Sequence, residues 1–112
     1  MIEETILTYL NSKLDVPVYM EEPKKDTPVA YVVIEKTGSG KLNQINSSTF
    51  AIKSYNTSMY EAAKLNDTVK KAMDQAISLS TVCASRLNSD YNFTDTTTKR
   101  YRYQAVYDLI HY

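Results

Sequence analysis

Gly38-Ser39-Gly40-Lys41 is the stretch whose residue types come closest to a phosphate cradle. A P-loop wraps phosphates in backbone amides. It needs a glycine five residues before the Gly-Lys pair and a Ser or Thr after it to hold magnesium. Glu35 and Leu42 stand at those two positions. The segment also joins two extended stretches, so no helix N-terminus follows to receive an anion. It reads as a flexible hairpin tip. Nucleophilic catalysis needs a base beside a Ser or Cys. The single histidine, His111, is the second-last residue, where a chain usually frays. The single cysteine, Cys83, sits in an alternating pattern that predicts a small core residue. One Cys and one His exclude an internal disulfide and the usual zinc sets. Glu3, Glu4, Glu21, Glu22 and Asp26 read as a solvated acidic face. The expectation is no catalytic residue, no metal, no cofactor, and a protein that is not an enzyme.

The closing stretch, Arg-Tyr-Arg-Tyr-Gln-Ala-Val-Tyr-Asp-Leu-Ile-His-Tyr from Arg100 to Tyr112, raises a different chemistry. Aromatic rings beside arginines can stack bases in a basic groove. However, 13 basic and 13 acidic side chains cancel, and binders of polyanions usually carry a basic surplus. The period of two places Tyr101, Tyr103, Ala105, Tyr107 and Leu109 on one face of a strand. Arg100, Arg102, Gln104 and Asp108 take the other. Tyrosines that share a face with Ala and Leu predict core and interface packing, with the phenol OH reaching a partner at the rim.

The elements that position these residues follow from periodicity. Ile2, Ile6, Leu7, Leu10 and Leu14 make a helical stripe with Glu3 and Glu4 at its N-terminus, predicting a helix over about 2–14. The acidic start lacks the basic region of a signal peptide, and no apolar run approaches the roughly 20 residues of a membrane span. Val-Pro-Val-Tyr-Met-Glu is a short extended piece that Pro17 confines to a sheet edge. Glu21–Pro28 is a polar loop. Val29–Lys36 is a strand covered on both faces, and 37–47, holding both glycines, is a long polar hairpin connection. Ser48–Tyr55 pairs back on the preceding strand. Ser58 and Glu61 form a capping box that starts a second helix, running to about Ser78. Its stripe is Ala62, Leu65, Val69, Met73, Ala76 and Ile77, opposite Lys64, Lys70 and Lys71. Two strands, about 81–93 and 99–111, are joined by a turn at Thr94–Lys99. The whole predicts one α+β domain over 1–112: a mixed, largely antiparallel sheet with two helices on one face, in the order α-β-β-β-α-β-β.

These pieces resemble the tail terminator (tail-completion, head–tail joining) proteins of long-tailed bacteriophages and prophages. The resemblance rests on the first helix with "VPVY", on "PVAYVVIE", on "SYNTSMYEAAKLNDTVKKAM" and on "DYNFTDTTTKRYRYQAVYDL". It runs through almost the full length, on structural patterns without catalytic signatures. It implies a ring, typically a hexamer, that caps the tail tube, stops its polymerisation and docks to the filled head. The implied partners are other copies of the chain, the major tail tube protein and head–tail connector proteins. No membrane is involved, and DNA only passes through the ring. The implied location is the tail or neck of the virion, assembled in the bacterial cytoplasm. Lys41, Asn43, Gln44, Asn46, Arg100 and Arg102 are the candidate assembly contacts. The first group has polar donors on a mobile connection, and the arginines have the strand face turned from the core. Two alternatives remain: a head–tail adaptor or stopper within the same class, and a nucleic-acid-binding or regulatory α+β domain outside it.

Overall fold

The structure, a computed structural model, describes residues 1–23, 28–95, 97 and 100–112. The middle of the expected loop at Glu21–Pro28 and parts of the Thr94–Lys99 turn, including Lys99 as the start of the last strand, lie outside the described residues. Helix α1 spans Ile2–Lys13 and strand β1 Val18–Tyr19; β2 spans Tyr31–Leu42 and β3 Ile45–Asn56. Helix α2 covers Met59–Asp74, followed by a 3-10 turn at Ala76–Ser78, then β4 at Val82–Asn92 and β5 at Tyr101–His111. The sheet order is β1-β2-β3-β5-β4, antiparallel except where β1 runs parallel to β2. The fold is therefore the mixed α+β sheet expected, with both helices on one face.

The helical face holds the main core. Val32 and Ile34 of β2, Phe50 and Ile52 of β3, and Ala105, Tyr107 and Leu109 of β5 meet Ile6, Tyr9 and Leu10 of α1 and Val69 and Met73 of α2. Ser58 caps α2 as its spacing predicts, its hydroxyl accepting from the Glu61 N–H at 3.1 Å. The α2 stripe is rotated slightly from expectation. Asn66 and Ala72 are buried with Ala62, Val69 and Met73, while Ile77 is 57% exposed because the α-helix stops at Asp74. Polar anchors fix the two helices. The Tyr9 hydroxyl donates to the Ala72 carbonyl (2.7 Å) and the Ser85 hydroxyl to the Met73 carbonyl (2.7 Å). The Tyr107 hydroxyl reaches the Lys70 carbonyl (3.1 Å) and Asp74 Oδ1 (2.8 Å). Burial, then the Asp74 carboxylate, pushes the Tyr107 phenol above its ordinary range. Tyr107 is a core residue as expected, whereas Tyr101 and Tyr103, nearer the strand's start, are only half-buried.

Three expectations are corrected. The stretch 37–47 is not a long connection. The ladder of β2 with β3 continues to Leu42↔Ile45, leaving Asn43 and Gln44 as a two-residue turn. Both have positive φ, 51° and 67°, the pattern of the hairpin turn whose twist matches that of the strands. Gly40 permits the close approach here: a Cβ on it would stand 3.0 Å from the Ser47 hydroxyl. Cys83 is exposed rather than a core residue. The register shifts between Val82 and Ala84, so Cys83 is the extra residue of a bulge on the edge strand, where alternation fails. His111 does not fray: it is 6% exposed and paired with Asn46 on one side and Val82 on the other.

Candidate assembly interface

The face of the sheet without helices carries a second, smaller cluster. Tyr31, Val33 and Tyr55 are buried there, with Tyr19 packed against them. Tyr31 faces Tyr55 across β2 and β3, and Tyr55 faces Arg102 across β3 and β5. The two tyrosine rings stack at 4.5 Å with planes 12° apart. Arg102 lies over the Phe93 ring at 4.3 Å, and Arg100 lies 5.2 Å from the Tyr55 centroid. Arg102 Nε donates to the Phe93 carbonyl at 2.8 Å, and its terminal nitrogen donates to the Tyr55 hydroxyl at 3.0 Å. Arg100 donates to the Tyr31 hydroxyl. Glu22, arriving from beyond β1, accepts from both phenols and lies 4.0 Å from the Arg100 guanidinium. Burial first, then the Glu22 carboxylate, pushes the Tyr31 phenol up to about 12. Burial and the Glu22 hydrogen bond raise Tyr55 as well, with Arg102 opposing them.

This cluster answers what the Arg-Tyr-Arg-Tyr stretch does. The expected alternation holds, since Arg100 and Arg102 project from the face opposite Tyr107. Their guanidinium groups, however, are engaged within the chain by Tyr31, Tyr55, Phe93 and Glu22. Tyr31 and Tyr55 expose only 2% and 3% of their surface, so neither ring offers a face on which a base could stack. Sequence reading missed Tyr31, Tyr55 and Glu22 as the arginines' partners. Tyrosine parity along "VAYVVIEK" and "STFAIKSY" was a usable signal for the first two. Glu22 carried none, because only the folded sheet brings Tyr31, Tyr55 and Arg100 together around it.

The other candidates form a separate surface. Asn46 pairs with His111 whereas Tyr55 pairs with Arg102, so the two groups lie at opposite ends of β3. Lys41 pairs directly with Asn46, and Asn43 and Gln44 make the turn beyond them. The described part of β1 covers β2 only at Val32 and Val33, and every β2 residue from Glu35 to Leu42 is exposed. The far half of the β2–β3 hairpin thus forms an arm that is open along its outer β2 edge while β3 stays paired to β5 as far as Asn46↔His111, in a molecule of 44 × 24 × 23 Å. Leu42, 75% exposed, and Ile45, 43% exposed, sit opposite each other at its tip.

Ser48 and His111 form a close nucleophile-and-imidazole pair, with Ser48 Oγ 2.8 Å from His111 Nε2. His111 Nδ1 lies 3.1 Å from the Tyr112 carbonyl, which can only accept, so in the neutral ring Nδ1 carries the proton and Nε2 accepts from Ser48. Both residues are buried, at 3% and 6% exposure, and the pair links β3 to β5 within the sheet. Among the described residues, no three His, Cys, Asp or Glu side chains converge as metal ligands, and no helix is long and apolar enough to cross a membrane.

Compared with known proteins, the chain matches no family model and no curated sequence. Its candidate surfaces are a closed Arg-Tyr-Glu cluster at one end of the sheet and an exposed, apolar-tipped arm at the other.

Proposed function

We propose that this protein is a structural component of phage assembly: a ring that caps the tail tube, terminates its polymerisation and joins tail to head. The observation that carries the reading is the β2–β3 arm. An arm whose outer β2 edge is open and whose tip leaves Leu42 and Ile45 in solvent is suited to contact with a neighbour. A closed ring needs two different, mutually complementary patches on each copy and needs neither a cofactor nor net charge. The action is one of contact rather than catalysis. The partners would be further copies of the chain, the tail tube protein and head–tail connectors, at the neck of the virion. A hexamer is the stoichiometry that the sequence resemblance implies, and an adaptor or stopper role would use the same surface. The test is light scattering on the purified chain, followed by electron microscopy of tubes polymerised with and without it. Annular particles and capped tubes of limited length are expected. A monomer that leaves tube length unchanged and retards oligonucleotides at physiological salt overturns the proposal in favour of a nucleic-acid-binding domain.

A further inference from the structure

We infer that the tip of the β2–β3 arm of one copy seats in the cleft beside β1 of a second copy; the inference deepens the ring reading and rests on it. The tip offers Leu42 and Ile45 as an exposed cross-strand pair, with Lys41 next to them. The cleft has a volume of about 560 Å³ and lies between α1 and the outer edge of β1. Leu7, Val18, Tyr19 and Met20 form its apolar walls, and Glu21 and Glu22 its rim. Met20 is 44% exposed there, an apolar group with water on one side.

Charge complementarity identifies a second copy as the occupant. Glu22 is held by Tyr31, Tyr55 and Arg100, which leaves Glu21 as the uncommitted carboxylate of the rim. Among the described residues Glu21 and Lys41 enter no ion pair. One tip therefore brings a cation, and one cleft an anion, each outside the ion pairs of the described residues. The contact cannot form within one chain. β1 pairs with β2 at Val32, and Leu42 is roughly 30 Å further along the same strand. Tip and cleft are different patches, so repeating the contact head to tail closes a ring if the rotation per subunit allows it. Leu42 and Ile45 supply the apolar anchor, and the Lys41–Glu21 pair at the rim fixes orientation.

The test uses the full chain with Cys83→Ser. Met20→Cys and Leu42→Cys are made as separate variants and in one chain, then mildly oxidised. All substituted side chains are exposed, so circular dichroism and thermal unfolding should match the parent. Mixing the two single variants is expected to give a disulfide-linked pair that neither gives alone. The double variant is expected to give a ladder ending in a closed species. Lys41→Glu is expected to raise the concentration needed for half-assembly by about tenfold, with recovery when Glu21→Lys is added to the same chain. No cross-link while the parent still forms rings overturns the inference and leaves the ring reading standing. A ladder that stops at two supports the tip-in-cleft contact and overturns the ring. No cross-link with a monomeric parent overturns both. Loss of tube capping in Lys41→Glu with no cross-link and unchanged self-association assigns the tip to the tube protein and overturns the inference.

Discussion

Replacing Arg102 with alanine should cost the isolated subunit about 1.5–3 kcal/mol. The estimate follows from its contacts: a charge-assisted bond from Nε to the Phe93 carbonyl at 2.8 Å, and a second bond to the Tyr55 hydroxyl at 3.0 Å. Bonds to charged groups contribute about 1.5–3 kcal/mol when truncated, less where water can replace the partner, as it can at the half-buried Arg102. The guanidinium over Phe93 at 4.3 Å adds about 0.5–1 kcal/mol. Urea unfolding followed by circular dichroism measures the loss, and an unchanged m-value would show that the denatured state is not the cause. Two controls separate fork from charge. Arg102→Lys keeps the charge but cannot make both bonds, so it should recover less than half of the loss. Tyr55→Phe removes the shared hydroxyl, and its double-mutant cycle with Arg102→Ala should show a coupling of roughly 0.5–1.5 kcal/mol. A loss below about 0.5 kcal/mol for Arg102→Ala, or full recovery by lysine, refutes the reasoning. The arginine would then be the solvent-facing, partner-seeking side chain that strand alternation alone suggests.

Val69→Ala and Met73→Ala, both at fully buried positions, should each destabilise by roughly 2–4 kcal/mol in the same assay, with valine at the lower end. Gln44→Gly should stabilise by about 0.5–1 kcal/mol, since Gln44 holds φ at 67° and an Asn-Gly turn removes the side-chain penalty; a loss of stability would contradict the turn geometry. Alkaline pH should destabilise the subunit. Tyr31 titrates at about 12 when folded against roughly 10 unfolded, so its contribution is complete below pH 10 and disappears as pH rises toward 12. Tyr31→Phe should flatten that limb, as followed by tyrosinate absorbance with circular dichroism. At the acid end the sign reverses for Asp90, whose pKa the Lys70 hydrogen bond holds below the ordinary value. Its contribution is present above about pH 4 and is lost as pH falls through the lowered folded value, so Asp90→Asn should weaken the acid dependence.

Local chemistry was enough for some elements. The Ser58 cap and the period of two in β5 each act within a few residues and appear where the sequence places them, whereas the strand expected as covered over Val29–Lys36 starts at Tyr31 and is buried only as far as Ile34. The arm was not legible because Gly-Ser-Gly-Lys has little strand preference of its own. It is extended because β3 pairs with it, and β3 is itself held by β5 as far as Asn46↔His111. Cys83 was misread because a bulge, a property of the edge strand's pairing with β5, inverts the alternation that a sequence displays. The pattern placed Arg100 and Arg102 on the right face but could not say what covers that face. Glu22, Tyr31 and Tyr55 are far from them in the chain, and only closure of the sheet brings the carboxylate, the stacked rings and the guanidiniums together. The candidate contacts were named on two grounds, polar donors on the connection and arginines on the strand face turned from the core, without a relation in space between them. The length of β3, a tertiary fact, separates them into a rigid cluster at one end and an exposed arm at the other.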